Sequence, residues 1–229
     1  MTSQLNGISS MATRQVLADL AVLYEQRSGV QVAIRSMGGV EAARLVRAGE
    51  PTDIVVLASS VMEKLGAEDH LVPGTRVDFA RSGIAVAVRS GTVPPDIGNE
   101  EAVKRAILQA GKICYSTGPS GDHLTRLWER WGIGGVVSQH ALQAPPGVPV
   151  GSIVARGEAD LGFQQLSELL HVPGIEVVGS LPPAIQSTTV FTAGVSRTSS
   201  RPEQARALVT YLSSPEAEAA KRRHGMEPA

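Results

Sequence analysis

The stretch "VQVAIRSMGGVEAARLVRAGEPTDIVVLA", residues 30–58, decides the fold. Its pattern predicts a strand, a turn with two glycines, a helix that ends at Gly49 and a nearly uninterrupted apolar strand. Such an apolar run is typical of a parallel strand that is buried on both faces. A strand, a helix and a second strand in this order predict a parallel sheet with a right-handed crossover, which binds ligands beyond the carboxyl ends of its strands.

The same alternation continues on both sides of this stretch. Upstream, "QLNGIS" predicts a strand and "MATRQVLADLAVLYEQRSG" a helix, and from about residue 188 a strand and a closing helix from Pro202 follow. Between them a second unit begins near "SGIAVAVRSG", and it continues through "EEAVKRAILQA", "KICYS", "GDHLTRLWERWG" and "SIVARGEADLGFQQLSELL". We therefore predict an α/β protein with two lobes, residues 1–81 with 188–229 and residues 82–187, each a mainly parallel sheet flanked by helices.

Composition narrows the classes of function. The chain has 229 residues, a formal net charge of -1 and only 3% aromatic residues, so neither a phosphate-binding basic stripe nor a base-stacking surface is expected. We therefore expect no nucleic-acid partner. No apolar run approaches the roughly 20 residues that cross a bilayer, so we expect no membrane insertion.

Four short polar loops each follow a predicted strand and precede a predicted helix. A helix N-terminus presents unpaired N–H groups and a partial positive charge, and hydroxyl groups and glycine backbone add hydrogen-bond donors. Four such loops in one chain favour a shared site for a small anion, whereas for each loop alone the alternative is a plain helix N-cap. The candidate residues of these loops are Ser9, Ser10, Ser36, Gly38, Ser59, Ser116, Thr117 and Ser120.

The order of these segments also carries a family resemblance. "SSMAT", "SMGG", "AGEPTDIVVLAS", "YSTGPSG", "ARGEADLG" and "SSPEA" together resemble the molybdate-binding-type solute-binding proteins, which have the type II periplasmic binding-protein fold. The resemblance covers nearly the whole chain. It implies two lobes joined by a hinge near residues 80–83 and 186–190, which close over an anion in the cleft between them.

The resemblance also implies which residues bind the ligand. It gives the serines and threonine of the four loops the role of anion ligands, and it puts Gln165 where molybdate binders tend to have a tyrosine. The amides of Gln164 and Gln165 are able to hydrogen-bond a carboxylate, which favours a di- or tricarboxylate over a tetrahedral oxyanion. Arg81, at the implied hinge, would clamp a carboxylate through two parallel hydrogen bonds, the alternative being a salt bridge.

Three functions remain open at this point. The first is capture of a small carboxylate by hinge closure. The second is a cytoplasmic isomerase or tautomerase that moves a proton within such an acid, on the precedent of bacterial aconitate isomerase, which is similar to this superfamily. The third is a molybdate or oxyanion receptor whose partner is the permease of an ABC transporter.

The N-terminus lacks the pattern of a secretory signal, so we expect a cytoplasmic protein, or a periplasmic one if a leader has been removed.

The proton-transfer candidates for an isomerase are His123, next to the fourth loop, and Tyr115, with a helix-start histidine as the alternative for His123. Cys114 lies in an apolar run and is interpreted as a small buried thiol. No metal-ligand spacing and no nucleotide or dinucleotide motif occurs, so we expect neither a metal nor a cofactor.

Overall fold

The computed structural model describes residues 4–229. Contacts within the chain divide it into two compact units: unit 1 comprises the described residues up to Arg81 together with Val190–Ala229, and unit 2 comprises Ser82–Thr189. That each is an independent domain, with the predicted boundaries given above, stays a prediction.

The first part of unit 1 alternates strand and helix, as the sequence predicts. Its elements are β1 (Gln4–Ser10), α1 (Arg14–Ser28), β2 (Gln31–Met37), α2 (Gly39–Arg47), β3 (Ile54–Ala58) and α3 (Ser59–Ala67). β1 lies between β2 and β3 and is parallel to both. The carboxyl ends of these strands therefore share one edge of the sheet.

Strand β4 (Val77–Arg89) leads from unit 1 into unit 2. The elements that follow are α4 (Glu100–Gln109), β5 (Ile113–Tyr115), α5 (Pro119–Arg130), α6 (Gly134–Val137), β6 (Ala141–Gln143), α7 (Val150–Ala155), β7 (Leu161–Gln165), α8 (Leu166–Leu169) and β8 (Ile175–Ser180). In this unit β5 is parallel to β6 and β7, whereas β4 is antiparallel to both β7 and β8. The sheet is thus mixed: β7, β5 and β6 are parallel and end at one edge, and the antiparallel pairings lie on the side of β4 and β8.

The chain returns to unit 1 through its last elements. These are β9 (Thr188–Val195), α9 (Pro202–Leu212), α10 (Glu218–Arg223) and β10 (Glu227–Pro228). β9 is antiparallel to β3, and β10 pairs with β4 at Ala80 and Arg81. The closing helix that the sequence predicts from Pro202 is α9, and Ser213–Ser214 separates it from a 3₁₀ turn at Pro215–Ala217 and from α10. Pro215 lacks the N–H group that a helix interior requires.

The sheet of unit 1 is covered on both faces, which explains the apolar run in β3. Ile54 and Val56 pack with α1 and α9, while Val55 and Leu57 pack with α2 and α3. All four side chains are buried. The α/β class predicted from the sequence is confirmed. Within residues 4–229, no helix combines the length and the apolar character that a membrane span requires.

Candidate functional site: two polar strand edges

The first polar edge lies in unit 1, where β1 and β2 end side by side. The parallel register pairs Ser9 with Ser36, and their hydroxyl oxygens are 2.8 Å apart, within hydrogen-bond distance. Ser9 is fully buried. Two of the predicted loops are therefore joined by a direct contact between their serines.

Ser10 adds a hydroxyl group without a partner at this edge. Its Oγ is buried and has no hydrogen-bond partner among the described residues, whereas its carbonyl accepts a hydrogen bond from Thr13 Oγ1 at 3.1 Å. Leaving a buried polar group unsatisfied costs about 1–3 kcal/mol. A bound ligand that accepts a hydrogen bond from Ser10 Oγ would remove this cost.

None of the four loops has a side-chain N-cap hydrogen bond, although Ser10 is the N-cap residue of the 3₁₀ turn Met11–Thr13. The N-cap residue of α2 is Gly38, that of α3 is Ala58 and that of α5 is Gly118, none of which has a capping side chain. Ser10 precedes a 3₁₀ turn but makes no side-chain cap hydrogen bond. The side-chain hydroxyl groups of these loops therefore do not cap the helices that follow them.

Ser59, the first residue of α3, lines a polar cavity of about 370 Å³ within unit 1. Arg76 and Asp78 share this cavity, and Asp78 accepts a hydrogen bond from Thr192 Oγ1 at 2.7 Å. The sequence reasoning missed Arg76, because a lone arginine before a strand carries no recognisable signal. The structure brings it to the same cavity as a predicted site residue.

The second polar edge lies in unit 2, at the end of β5. Ser116 Oγ and Ser120 Oγ are 2.8 Å apart, and the Gly118 N–H donates to Ser116 Oγ at 3.4 Å. Ser120 is buried, whereas Thr117 is exposed. The predicted fourth loop is thus folded around two hydroxyl groups at the start of α5.

Gly121 makes this loop possible. A Cβ atom at residue 121 would lie 1.9 Å from the carbonyl oxygen of Ser116, closer than any real contact. Only a glycine lets the first turn of α5 approach the loop backbone this closely. Gly121 therefore allows the close approach that brings Ser116 and Ser120 together.

Gln164 and Gln165 end β7 and, as neighbours in a strand, project to opposite faces of the sheet. The amide of Gln164 is engaged within the unit: its Oε1 accepts from the Val150 N–H at 3.0 Å, and its Nε2 donates to Glu168 Oε1 at 2.8 Å. Gln165 Nε2 donates to Thr189 Oγ1 at 2.8 Å, and its buried Oε1 has no partner among residues 4–229. Of the two predicted amides, Gln165 is the one with an unpaired atom.

Glu168 is a titratable group that the sequence reasoning missed. Burial raises the pKa of its carboxyl to about 7, although the hydrogen bond from Gln164 acts in the opposite direction. No cation contributes to this shift. A glutamate in a helix is ordinary in sequence, and only the fold shows that its carboxyl is desolvated.

His123 and Tyr115 lie near the second edge. His123 Nε2 is 2.8 Å from the Ile185 carbonyl oxygen, so this nitrogen carries the proton and donates. In the neutral ring Nδ1 is then a free acceptor. The ring of Tyr115 packs edge-on against Trp128, with 5.0 Å between their centroids.

Arg81 already has a partner in this structure. Its Nε and Nη2 both donate to the carbonyl oxygen of Pro228, at 3.1 and 2.9 Å. Its predicted role as a carboxylate clamp stays a prediction, and a ligand would have to compete with this carbonyl.

Cys114 is buried, as predicted, and burial raises the pKa of its thiol to about 11. It is therefore protonated at neutral pH and unsuited to nucleophilic attack. In the described part of the chain, no three His, Cys, Asp or Glu side chains gather as a group that could hold a metal ion.

Known proteins resemble this chain over nearly its whole length. Aconitate isomerase from Pseudomonas sp. is 40% identical over 231 residues, which covers 98% of this chain and 87% of that protein. The periplasmic molybdate-binding protein of Azotobacter vinelandii has a similar fold, with a TM-score of 0.80, 22% identity and coverage of 97% and 98% of the two chains. The sulfate-binding protein SubI of Mycobacterium tuberculosis matches with a TM-score of 0.76, 17% identity and coverage of 99% and 87%.

These two structures are too distant in sequence to indicate more than the fold. The sequence model for bacterial extracellular solute-binding proteins, in contrast, matches residues 5–227. This chain therefore belongs to the bacterial extracellular solute-binding protein family.

Proposed function

We propose that this protein binds a small di- or tricarboxylate and isomerises it by a 1,3-proton shift, with aconitate as the substrate. The observation that carries the proposal is the 40% identity to an aconitate isomerase over 98% of the chain. The hydroxyl groups at the two strand edges support it, since hydroxyl donors, among them the unpartnered Ser10 Oγ, suit the carboxylate groups of such an acid. The loops were predicted to serve one ligand, and this stays a prediction that the variants below test.

The reaction requires a group that moves a proton. A base takes a proton from the methylene carbon, the double bond moves by one position, and a proton is added to the carbon at its far end, so that no atom is gained or lost. His123 is the candidate base, because its Nε2–H bond to the Ile185 carbonyl leaves Nδ1 unprotonated in the neutral ring. It lies three residues after Ser120 on α5, and residues at this spacing share a helix face.

The first experiment is proton NMR of cis- and trans-aconitate with the protein in deuterated water. We expect interconversion of the two isomers, with deuterium entering the carbon that receives the proton. Neither interconversion nor exchange, in a sample that binds aconitate, would contradict the isomerase and leave a carboxylate-binding protein.

Two variants separate binding from chemistry. Replacement of His123 by Gln should abolish turnover and spare binding, whereas Ser10→Ala should weaken binding by about 0.5–1.5 kcal/mol, the net value of an ordinary hydrogen bond. Replacement of Ser116 by Ala tests the second edge in the same way. Unchanged affinity in both serine variants would contradict the assignment of these edges as the binding site.

Transport-type binding without chemistry is the alternative that family membership favours. A thermal-shift screen with molybdate, tungstate, sulfate, phosphate and a series of di- and tricarboxylates distinguishes the ligands. A shift with molybdate or tungstate alone would replace our proposal by an oxyanion receptor, whose partner would be the permease of an ABC transporter.

A further inference from the structure

A second cavity, of about 380 Å³, lies in unit 2 away from the polar edge. It is lined where β4 ends, at Val88 and Arg89, and where β7 begins, at Leu161. Gln165, at the polar edge, ends β7 four residues later, which corresponds to about 13 Å along a strand. The cavity is therefore separate from the site proposed above, and its size falls in the range of small-molecule sites.

One wall of the cavity is apolar. Val88, Ala106 and Leu161 belong to the main core of unit 2 and are buried, and each also lines the cavity. Val93, which also lines it, is 92% exposed. An apolar ligand group placed here would remove surface from water, at about 25 cal/mol for each Å² buried.

Arg89 provides a positive charge at the rim of the cavity. Its guanidinium group lies against Gly157, where a Cβ atom would be 3.2 Å from Nη1, and the φ angle of Gly157, +74°, also favours glycine. Among residues 4–229 no acceptor or carboxylate pairs with this guanidinium. It is thus free to bind a carboxylate with two hydrogen bonds.

Asp160 provides the opposite charge in the same cavity. Its Oδ2 accepts a hydrogen bond from the backbone N–H of Lys112 at 2.9 Å, which fixes the side chain. Its Oδ1 remains available to accept a hydrogen bond from a ligand in the cavity. No ion pair joins Asp160 to Arg89. A negative group in the same cavity as a free arginine disfavours a simple anion and suits a ligand that carries both charges.

We propose that this cavity binds a free α-amino acid with a branched apolar side chain. Its carboxylate pairs with Arg89, its ammonium group with Asp160, and its side chain packs on Val88, Ala106 and Leu161. This proposal is independent of the isomerase activity, because none of these residues belongs to the polar edges.

Isothermal titration calorimetry with L-leucine tests the proposal. We expect leucine to bind the wild type, Arg89→Met to weaken binding at least tenfold, and Asp160→Asn, which keeps an oxygen for the Lys112 N–H, to weaken it as well. The matched control is Arg126→Met, since Arg126 is also exposed and unpaired within the described chain but lies outside the cavity. Ser10→Ala should leave leucine affinity unchanged.

Two analogues test the class of ligand. 4-Methylpentanoate lacks the ammonium group and 3-methylbutan-1-amine lacks the carboxylate, so each should bind at least tenfold more weakly than leucine. The proposal is overturned if leucine does not bind, if Arg89→Met binds as tightly as Arg126→Met, or if 4-methylpentanoate matches leucine.

Discussion

At the scale of single residues, Gly121 allows a direct test of the second polar edge. We predict that Gly121→Ala lowers the free energy of unfolding by about 1–3 kcal/mol, the usual cost of overpacking, because the added methyl group overlaps the Ser116 carbonyl. Urea denaturation measures this loss. Gly135→Ala is the control, since a Cβ atom there meets nothing within 4 Å; equal effects of the two changes would contradict the close approach.

Glu168 makes stability depend on pH. Since the pKa of its carboxyl is about 7 in the folded protein and about 4.5 in the unfolded chain, the folded state binds more protons between these values. The destabilisation is therefore absent below pH 4.5, grows as the pH rises and is complete above pH 7. Since one pKa unit corresponds to about 1.4 kcal/mol, burial of the ionised Glu168 carboxyl lowers the free energy of unfolding by on the order of 3 kcal/mol above pH 7.

We predict that Glu168→Gln is more stable than the wild type at pH 8 and equal to it near pH 4.5, as measured by denaturation at each pH. The added amide keeps an oxygen that accepts from Gln164. Glu129→Gln, at an exposed position of α5, is the control. A wild type whose stability relative to Glu168→Gln does not change with pH would refute the desolvated carboxyl.

The sequence predicted the polar loops at residue level, but it could not predict how their side chains are used. Ser9 and Ser36 were predicted because each follows a strand, and parallel register then brings them together. The use of Gln164 depends on the face of β7 to which it projects and on Val150, fourteen positions earlier along the chain. Such a contact exists only once α7 has packed on β7.

At the scale of secondary-structure elements, α10 carries a buried lysine that forms no ion pair with a carboxylate among residues 4–229, although the charge of Glu218 partly opposes the effect of burial. Lys221 is 1% exposed, its Nζ lies 5.2 Å from the centroid of the Phe79 ring, and burial lowers the pKa of its amine. The unfolded chain therefore holds this proton to higher pH than the folded protein does. Stability should rise as the pH passes through the lowered pKa towards 10.5, the ordinary value.

We predict that Lys221→Met stabilises the protein at pH 7 by about 1 kcal/mol or more, because a well-packed apolar side chain replaces a desolvated charge. The gain should shrink at pH 10. Thermal or urea unfolding at both pH values measures it, with Lys64→Met on the exposed face of α3 as the control. A destabilised Lys221→Met would show that the contact with Phe79 outweighs desolvation.

Elements with a strong pattern were predicted well, and short elements were not. The apolar run of β3 and the periodicity of α1 are local properties of the sequence. β10 is held in place by pairing with β4, a partner distant in sequence, and its two residues carry little strand signal.

At the scale of the whole molecule, the prediction concerns ligand-linked stability. If aconitate binds the folded protein alone, a concentration 100 times its dissociation constant should add about 2.7 kcal/mol to the free energy of unfolding. A thermal melt measures the shift, and Ser10→Ala should require more ligand for the same gain. An unshifted wild type at millimolar aconitate would contradict binding.

The α/β class could be predicted from the alternation of strand and helix, which holds along almost the entire chain. The antiparallel pairing of β4 with β7, and of β9 with β3, could not, because an apolar strand does not encode the direction of its neighbour. Direction follows from the path of the chain, which leaves unit 1 through β4 and returns to it through β9.

That path has a consequence for synthesis on the ribosome. Unit 2 is continuous in sequence and is made in full before β9, the strand that pairs with β3 of unit 1, leaves the exit tunnel. The amino-terminal segment with β1, β2 and β3 must therefore wait, with one edge of its sheet unpaired, while an entire inserted unit is translated. A nascent chain whose first 189 residues have left the tunnel would hold a completed unit 2 and an aggregation-prone half of unit 1, which makes that interval the one in which a chaperone is most needed.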